Sequence, residues 1–404
     1  MTIATDPPKE SFRLSMLIND TRYRSYTFQA IALLALIVIF SILGNNLAQN
    51  LAAAGLNISY EFLGDPAGYD INQQPIPYDS QSTHMRASIV GALNTLIVAF
   101  LACVTATIFG VIAGVLRLSN NWIISKLMSL YVEAFRNVPV LIWIIIIFTV
   151  TANVFPQPRE FRGDNPTASM VGEAVAFTNR GVYVPKPVFE SGGWLVVGVF
   201  LASIAGIFLW RRYARNVLFD TGRVVPVFLP SLAIFFVPAL VAYFVLGRPI
   251  GLEYPELRGF NFQGGLTIRG SLIALWFALA IYTGAFIAEN VRAGILAISK
   301  GQTEAAAALG LRSGRIMNLV ILPQALRVII PPLISQYLNI TKNSSLAIAV
   351  GYMDLTGTLG GITLNQTGRA IESVLLLMLF YLTFSLAISA LMNVYNNSIK
   401  LKER

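Results

Sequence analysis

The chain has 404 residues, of which 55% are hydrophobic and 12% are charged. Soluble globular domains carry roughly 25% charged residues, so this composition predicts a polytopic membrane protein. The formal net charge is +9, but the basic residues lie in short segments between apolar runs, which does not fit a nucleic-acid partner. One cysteine, Cys103, and one histidine, His84, exclude an internal disulfide framework and a Cys/His metal site. We expect Cys103 to be a packing residue and His84 to be solvated in an outer loop.

Eight apolar runs are predicted to span the membrane, since about 20 apolar residues cross the hydrocarbon core. They are residues 27–47, 87–116, 130–154, 194–210, 226–246, 270–288, 323–340 and 371–395. Within the second run, Gly110 and Gly114 have the spacing that lets two helices approach closely. Pro139 is expected to kink the third run. The predicted fold class is therefore all-α, with about eight transmembrane helices.

These runs divide the chain into six parts. They are a polar amino-terminal segment 1–26, a first span with its outer loop 27–86, a first core part 87–156, a two-span insertion with polar outer loops 157–265, a second core part 266–397 and a tail 398–404. After the seventh span, residues 341–358 mix polar and apolar side chains, and their apolar run is too short for a further span. Residues 359–369 are predicted to be an outer loop.

Lysine and arginine are concentrated in alternate segments between the spans. Cytoplasmic loops carry an excess of these residues, so both termini and the segment 289–323 are predicted to be cytoplasmic. The terminal residues that contribute to this prediction are Lys9, Arg13, Arg22, Arg24, Lys400, Lys402 and Arg404.

Residues 304–323, reading EAAAALGLRSGRIMNLVILP, form a polar and small-residue stretch between two spans. Ser299 and Gln302 have the spacing of a capping box at the start of a helix. The alanines that follow favour helix, and Gly310 suits the left-handed residue that ends one. The pattern therefore predicts a short helix that stops at Gly310.

A second short helix is predicted from Ser313, as the amino-terminal cap, through residues 314–322, with a stop or kink at Pro323. The small side chains of Ala305 and Ala306 let another backbone approach closely. Two short helices at a sharp angle, with alanines on one side, suit docking into a groove on a partner protein.

The order and spacing of Glu304, Ala305, Ala306, Gly310 and Pro323 resemble the EAA loop of ABC-importer permeases. Three longer stretches resemble the polar-amino-acid permeases of the histidine/glutamine type. They are YVEAFRNVPVL at 131–141, TGAFIAENVRAGILAISKGQTEAAAALGL at 283–311 and KNSSLA at 342–347. With its long amino terminus, extra first span and two-span insertion, the chain is most similar to permeases of general L-amino acid or glutamate/glutamine/aspartate/asparagine importers.

The resemblance implies a type I ABC-importer permease core, to which one amino-terminal span and a two-helix insertion are added. It also implies that residues 341–358 form a short outer or re-entrant helix. It implies a permease subunit in the bacterial inner membrane that moves polar L-amino acids from periplasm to cytoplasm by alternating access. The implied partners are a related second permease or a second copy, two ATP-binding subunits, a periplasmic amino-acid-binding protein and membrane lipid. The chain has no GxxxxGK[ST] phosphate loop, so we expect no enzymatic activity, with ATP and Mg²⁺ bound by the partner ATPase.

The resemblance also implies a role for each residue of the coupling loop. Glu304 anchors the loop, Ala305 and Ala306 permit the close fit, and Gly310 makes the turn. Arg312 and Arg315 either pair with acidic groups on the ATPase or serve only as positive-inside anchors.

Two further groups of residues are candidates with a plainer alternative. Polar residues proposed for the substrate path are Asn94, Thr95, Thr105, Thr107, Asn343, Ser344 and Ser345, and the alternative is that they bond to helix backbones. Charged residues proposed for the inner gate or interface are Glu133, Arg136, Glu289 and Arg292. For Glu133 and Arg136, one turn apart, the alternative is an ion pair at the interface.

A second function remains open from the sequence, namely a stand-alone secondary transporter or a channel for small polar solutes. That function predicts acidic residues buried within spans to carry protons or sodium. Glu133, Glu289 and Glu372 lie at or near span ends, which gives this alternative little support.

Overall fold

The computed structural model describes residues 15–53, 55, 57–163 and 166–399. Five of the seven basic terminal residues assigned to the cytoplasm lie outside the described residues, namely Lys9, Arg13, Lys400, Lys402 and Arg404, whereas Arg22 and Arg24 lie in the helix that begins at Thr21. The chain forms two compact units that divide between Phe62 and Leu63.

The first unit consists of two helices, α1 (Met16–Asn19) and α2 (Thr21–Ala53). Helix α2 has 33 residues, so it is about 50 Å long and exceeds a hydrocarbon core of roughly 30 Å. None of its apolar window is buried inside the chain, so its side chains are free to contact lipid all round. The predicted first span, residues 27–47, is confirmed, and the helix extends beyond it at both ends.

The second unit contains most of the helices. They are α3 (His84–Leu116), α4 (Trp122–Asn137), α5 (Val140–Val154), α6 (Gly193–Thr221), α7 (Phe228–Val245), α8 (Gly270–Leu296), α9 (Lys300–Ala308), α10 (Ser313–Ile316), α11 (Leu322–Asn343), α12 (Leu364–Thr367) and α13 (Ala370–Ile399). Within the described residues, eight helical segments are long and apolar enough to cross a membrane, α2 included. The prediction of an all-α membrane fold with about eight spans is therefore confirmed, apart from the short strands described below.

The core of the second unit is the contact between α3 and α8. Glycine replaces bulk where the two helices touch: a Cβ placed on Gly110 would lie 2.5 Å from Cβ of Ile287, and one on Gly114 would lie 2.7 Å from the carbonyl oxygen of Ala288. Buried leucine and alanine side chains such as Leu279 fill the layers around this contact. Small residues let helix backbones approach closely in membranes, so the predicted role of the two glycines is confirmed.

The predicted third span, residues 130–154, is wrong at its beginning. Residues 122–137 form the separate helix α4, Val138 is extended, and Pro139 is the amino-terminal cap of α5. A residue that precedes proline is driven out of the helical conformation, so Pro139 breaks the helix rather than kinking it. The Tyr131 hydroxyl donates to the carbonyl oxygen of Ile281 at 2.6 Å and fastens α4 to α8.

The polar segments of the insertion form small antiparallel sheets, which the sequence did not predict. The strands are β1 (Ala176–Thr178), β2 (Gly181–Val184), β3 (Lys186–Phe189), β4 (Ile250–Glu253), β5 (Glu256–Arg258), β6 (Asn261–Gln263) and β7 (Leu266–Arg269). They pair in the orders β1-β2-β7, β3-β4 and β5-β6. The registers Val182↔Ile268 and Val188↔Gly251 join segments on either side of the α6–α7 hairpin. The hairpin therefore starts and ends at the same place.

The segment after α11 is also more ordered than predicted. A 3₁₀ turn (Ser344–Val350) and a π-helical stretch (Thr356–Thr363) lead into α12. Leu359 and Thr363 are fully buried, so the prediction of an outer loop over residues 359–369 is wrong. His84 is also buried, with Nδ1 3.1 Å from the Thr363 hydroxyl, rather than solvated. These contacts join segments far apart in sequence.

Candidate functional site

An exposed elbow, residues 300–321, joins α8 to α11. Helix α9 ends in two backbone hydrogen bonds that close its last turn, from Gly310 N–H to Ala307 and from Leu311 N–H to Ala306. Gly310 has φ +78°, a left-handed angle that side chains with a Cβ rarely adopt, so the prediction for Gly310 is confirmed. Ser299 lies at the amino-terminal cap as predicted, but its side chain makes no capping hydrogen bond.

The second arm of the elbow differs from its prediction. Helix α10 begins at Ser313 with Arg312 as its cap, and a π turn over Met317–Ile321 carries it into α11. Pro323 lies in the first turn of α11, where its missing N–H costs little, so it does not stop the helix. The prediction of a separate helix over residues 314–322 is therefore wrong, and the second arm is continuous with a spanning helix.

The elbow exposes the polar residues that the sequence singled out. Glu304, Ala305, Arg312 and Arg315 are exposed, whereas Ala306 is only 5% exposed and turns inward. A partner can therefore approach Ala305 but not Ala306.

Sequence reasoning missed two apolar side chains at the elbow, Leu309 at 82% exposed and Leu319 at 66%. The feature of the sequence that could have indicated them is that each is an apolar residue in the polar connection between α8 and α11. Single exposed leucines are common, and an apolar surface rimmed by polar residues is what marks a docking site. Leu309 and Leu319 are therefore candidates for such a surface together with the exposed charged residues of the elbow.

Four charged side chains meet where α3, α4 and α8 end near the elbow. Glu289 accepts a hydrogen bond from Arg117 and lies 3.6 Å from Arg136 and 3.5 Å from Arg292. Arg117 is only 9% exposed at its side chain, so its charge depends on this carboxylate. We call these four residues the Glu289 cluster, which holds three positive charges around one negative charge.

The predicted ion pair between Glu133 and Arg136 is wrong. Arg136 turns to Glu289, on a different helix, and Glu133 instead accepts a hydrogen bond from Asn137 Nδ2 at 3.2 Å. The structure therefore brings together three of the four predicted gate residues, adds Arg117, and leaves Glu133 apart. Arg117 directly follows the last residue of α3. A basic residue at the end of a span was the feature of the sequence that could have indicated its place in this cluster.

Asn94 and Thr95, which were predicted to lie on the substrate path, bind backbone groups of residues 344–367, the segment of short helical turns after α11 that we call the broken segment. Asn94 Nδ2 donates to the carbonyl oxygens of Gln73 and Met353, at 2.9 Å each. The Thr95 hydroxyl accepts from the backbone N–H of Leu355 at 3.1 Å. These bonds fix the broken segment against α3.

The other predicted path residues also have partners inside the chain. The Thr105 hydroxyl accepts from Trp276 Nε1 at 3.0 Å, and the Thr107 hydroxyl lies 2.8 Å from the Tyr337 hydroxyl. Ser344 and Ser345 each donate to the backbone one turn earlier, as Ser344 does to Thr341. Asn343 ends α11 and is half-buried. Their role in a substrate path stays a prediction.

Asp354 is a buried acid that sequence reasoning missed. Its carboxylate accepts from the Gly357 N–H at 2.8 Å and from the Tyr381 hydroxyl at 3.3 Å, so it joins the broken segment to α13. Burial raises the pKa of Asp354 to about 6. A cavity of about 500 Å³ opens beside it, lined by Tyr352 and Gln366 among others. The signal in the sequence was the isolation of Asp354, the only acid between Glu304 and Glu372.

Comparison with known proteins agrees with this architecture. The model of a family described as "Binding-protein-dependent transport system inner membrane component" matches residues 195–401. The glutamate/glutamine/aspartate/asparagine transport system permease protein BztB of Rhodobacter capsulatus is 53% identical, over 100% of both chains. The general L-amino acid transport system permease protein AapQ of Rhizobium johnstonii is 42% identical, over 98% of this chain and 96% of the relative.

A solved structure described as an amino acid ABC transporter with histidines has a TM-score of 0.45 and 20% identity, and covers 78% of this chain and 95% of its own. The family expected from the sequence is therefore confirmed by its model and by relatives that align along the whole chain. The chain belongs to the family of inner membrane components of binding-protein-dependent transport systems.

Proposed function

We propose that this chain is the permease subunit of an ATP-driven importer that moves polar L-amino acids into the cell by alternating access. The observation that carries the proposal is the elbow, which exposes Leu309, Leu319 and four charged or small residues for a partner. Relatives named for glutamate, glutamine, aspartate, asparagine and general L-amino acid transport support this class of substrate.

The energy comes from partner subunits in this proposal. The sequence has no phosphate loop of the GxxxxGK[ST] type, so two ATP-binding subunits hold ATP and Mg²⁺ and this chain is not an enzyme. Each ATP-binding subunit receives one elbow in a groove, from this chain and from a second permease, which is a relative or a second copy. Glu304 and Ala305 face that groove, and Arg312 and Arg315 pair with its acidic groups.

The elbow is well placed to transmit motion, because it lies between two long helices. Helix α8 leads into α9 through three residues, and α10 continues into α11 without a break. A displacement of the elbow therefore moves α8 and α11 together. Helix α3 follows, since Gly110 and Gly114 interlock it with α8, and the Glu289 cluster adds α4.

This proposal sets the orientation of the chain. The elbow and both termini face the cytoplasm, which places the β strands and the broken segment 344–367 on the outer side. There a periplasmic amino-acid-binding protein delivers substrate. In our proposal the cavity beside Tyr352 forms the entry at that side, and the fully buried Asn94 and Thr95 hold the broken segment that lines it.

Reconstitution with the second permease, the ATP-binding subunits and the binding protein tests the function. Leu309→Asp places a charge on the exposed apolar surface of the elbow, so we expect ATP-driven uptake of labelled L-glutamate to fall at least tenfold. Val224→Asp, at a residue that is 85% exposed between α6 and α7, is the matched control and retains uptake. Gly310→Pro and Glu304→Lys are expected to abolish uptake while the chain still inserts.

Two results would contradict the proposal. One is full uptake and full co-purification of the ATP-binding subunits with the Leu309→Asp variant. The other is uptake by the chain alone in liposomes under an ion gradient, which would favour the stand-alone transporter instead.

A further inference from the structure

The strands of the insertion form a small region with its own hydrophobic core. Ala176, Tyr183 and Phe262 are buried there, with Phe161 edge-on to Phe262 at 5.3 Å between ring centroids. The Tyr183 hydroxyl donates to Asn261 at 2.8 Å. Segments from both sides of the α6–α7 hairpin contribute to this core, so it holds the surrounding turns in fixed positions.

A cleft of about 120 Å³ lies beside this core, and three arginines line it: Arg159, Arg162 and Arg180. Gln157 and the turn at Gly259 and Phe260 complete its walls. Arg180 Nη1 donates to the carbonyl oxygen of Phe260 at 3.2 Å, which joins the two sides of the cleft.

The positive charge of the cleft is not balanced within the described part of the chain. None of the three arginines takes part in an ion pair with another described residue. The carboxylate of Glu160, the acidic residue next to Arg159, instead accepts a hydrogen bond from the backbone N–H of Gln157 at 2.9 Å. Guanidinium groups match carboxylates in shape and charge, and charge-assisted hydrogen bonds are the strong ones. The volume corresponds to roughly four water molecules at about 30 Å³ each, which fits a carboxylate with a few carbon atoms.

We propose that this arginine cleft binds a carboxylate on the outer face of the importer. The carboxylate comes from a free acidic amino acid that collects there before transport, or from an acidic side chain of the docked binding protein. The assignment of the cleft to the outer side of the membrane rests on the proposed function. That the cleft and the elbow lie at opposite ends of α8 does not depend on it, because β7 directly precedes α8 and the elbow follows the other end of that helix.

The test uses the purified complex in lipid nanodiscs and the double variant Arg159→Gln, Arg162→Gln. Within the described residues neither of these side chains makes a hydrogen bond, whereas Arg180 donates to the carbonyl oxygen of Phe260. Arg258→Gln is the control, since Arg258 lies in the same region and is exposed, paired with Glu256. The single variants Arg159→Gln and Arg162→Gln, and the charge-preserving pair Arg159→Lys, Arg162→Lys, are measured beside it in case the double variant does not assemble.

The first measurement is titration of the complex with L-glutamate and with neutral L-glutamine. If the carboxylate is that of a free amino acid, L-glutamate binding weakens at least tenfold in the double variant, weakens less in the lysine pair and is unchanged in Arg258→Gln. The cleft receives the side-chain carboxylate in this case, so L-glutamine, which has only the α-carboxylate, binds equally well to all of them.

The second measurement is the concentration of binding protein that gives half-maximal stimulation of ATP hydrolysis. If the carboxylate belongs to that protein, this concentration rises at least fivefold in the double variant and rises more steeply with salt in the wild type. A double variant, or both single variants, that match Arg258→Gln in both measurements would overturn the inference. Loss of uptake in every chain, the wild type included, would count against the proposed function instead.

Discussion

Two helix pairs in this protein differ in how far they interlock. In the pair α3–α8, 61% of the apolar window of α8 is buried inside the chain, whereas the corresponding share is 17% for α6 and 6% for α7. A Cβ on Gly110 of α3 would lie 2.5 Å from Ile287, but one on Gly198 of α6 would meet nothing within 4 Å. A Cβ on Gly206 of α6 would lie 3.2 Å from Cγ2 of Ile234 in α7, so glycine packs against α7 as well, but less tightly than Gly110 packs against α8.

The difference indicates which helices move together. Helix α8 ends at the elbow, so in the proposed mechanism a displacement of the elbow passes to α3 through the glycine contact. The α6–α7 hairpin is returned to its starting point by the β2–β7 and β3–β4 ladders and lies outside this connection. We infer that the insertion adds an outer binding surface while the α3–α8 pair carries the coupling motion.

A large effect is expected from breaking the glycine contact. Gly110→Ala inserts a methyl group against Ile287 and the carbonyl oxygen of Gly284, so we expect a loss of about 3 kcal/mol of stability. Gly198→Ala meets open space and gains helix propensity, so its stability is unchanged or rises by up to about 1 kcal/mol. Thermal unfolding of the two purified variants measures the contrast. Equal unfolding temperatures would show that α3 and α8 do not interlock as described.

The next effect concerns the charges at the ends of the same helices. Glu289→Gln leaves Arg117, Arg136 and Arg292 without their carboxylate, and we expect a loss of about 2 kcal/mol. Glu256→Gln in the insertion removes one exposed partner of Arg258 and is expected to cost at most about 0.5 kcal/mol.

A double-mutant cycle with Arg117→Gln isolates the interaction within the Glu289 cluster. The double variant is expected to be more stable than the sum of the single losses predicts, because it leaves one unbalanced arginine fewer. Strict additivity would argue against direct coupling of Arg117 and Glu289.

The third prediction concerns pH and the link between the broken segment and α13. Asp354 lies in the connection between the spans Ser313–Val350 and Ala370–Asn397, outside both, and burial raises its pKa from 3.8 to about 6. The folded state therefore binds this proton more tightly than the unfolded state, so the stabilisation is gained as pH falls from about 6 to 4 and is absent above pH 6. In this range the unfolding temperature of the wild type is expected to rise relative to that of Asp354→Asn.

Asn keeps an acceptor for the Gly357 N–H, which makes it a close control for the shape of the site. A difference in unfolding temperature between the two proteins that stays constant from pH 4 to 7 would show that Asp354 does not titrate in this range.

Local features of the sequence predicted the fold better than contacts between distant segments did. The spacing of Gly110 and Gly114 and the left-handed Gly310 were predictable, because each depends on one helix or one turn. The length of apolar runs predicted the spans for the same reason. The predicted helix boundaries were wrong where the effect of a proline was misjudged, as at Pro139, which separates α4 from α5.

Distant contacts could not be predicted from a single sequence. Arg136 pairs with Glu289, which follows it by more than 150 residues, and not with Glu133 on its own helix. His84 is buried in contact with Thr363, and no local sequence pattern predicts a contact between residues so far apart. Two of the β ladders of the insertion, β2–β7 and β3–β4, likewise depend on segments separated by the whole α6–α7 hairpin.

The smallest expected effect tests the peripheral pair itself. Leu209 of α6 is 68% exposed, so Leu209→Ala removes few contacts within the chain and is expected to change stability by at most about 0.5 kcal/mol. Leu279 of α8 is fully buried, and Leu279→Ala leaves a cavity that costs about 2–5 kcal/mol. Chemical or thermal unfolding of both variants gives the ratio directly. If Leu209→Ala proves as costly as Leu279→Ala, then α6 is buried against a partner subunit, and the insertion takes part in assembly and not only in binding at the outer face.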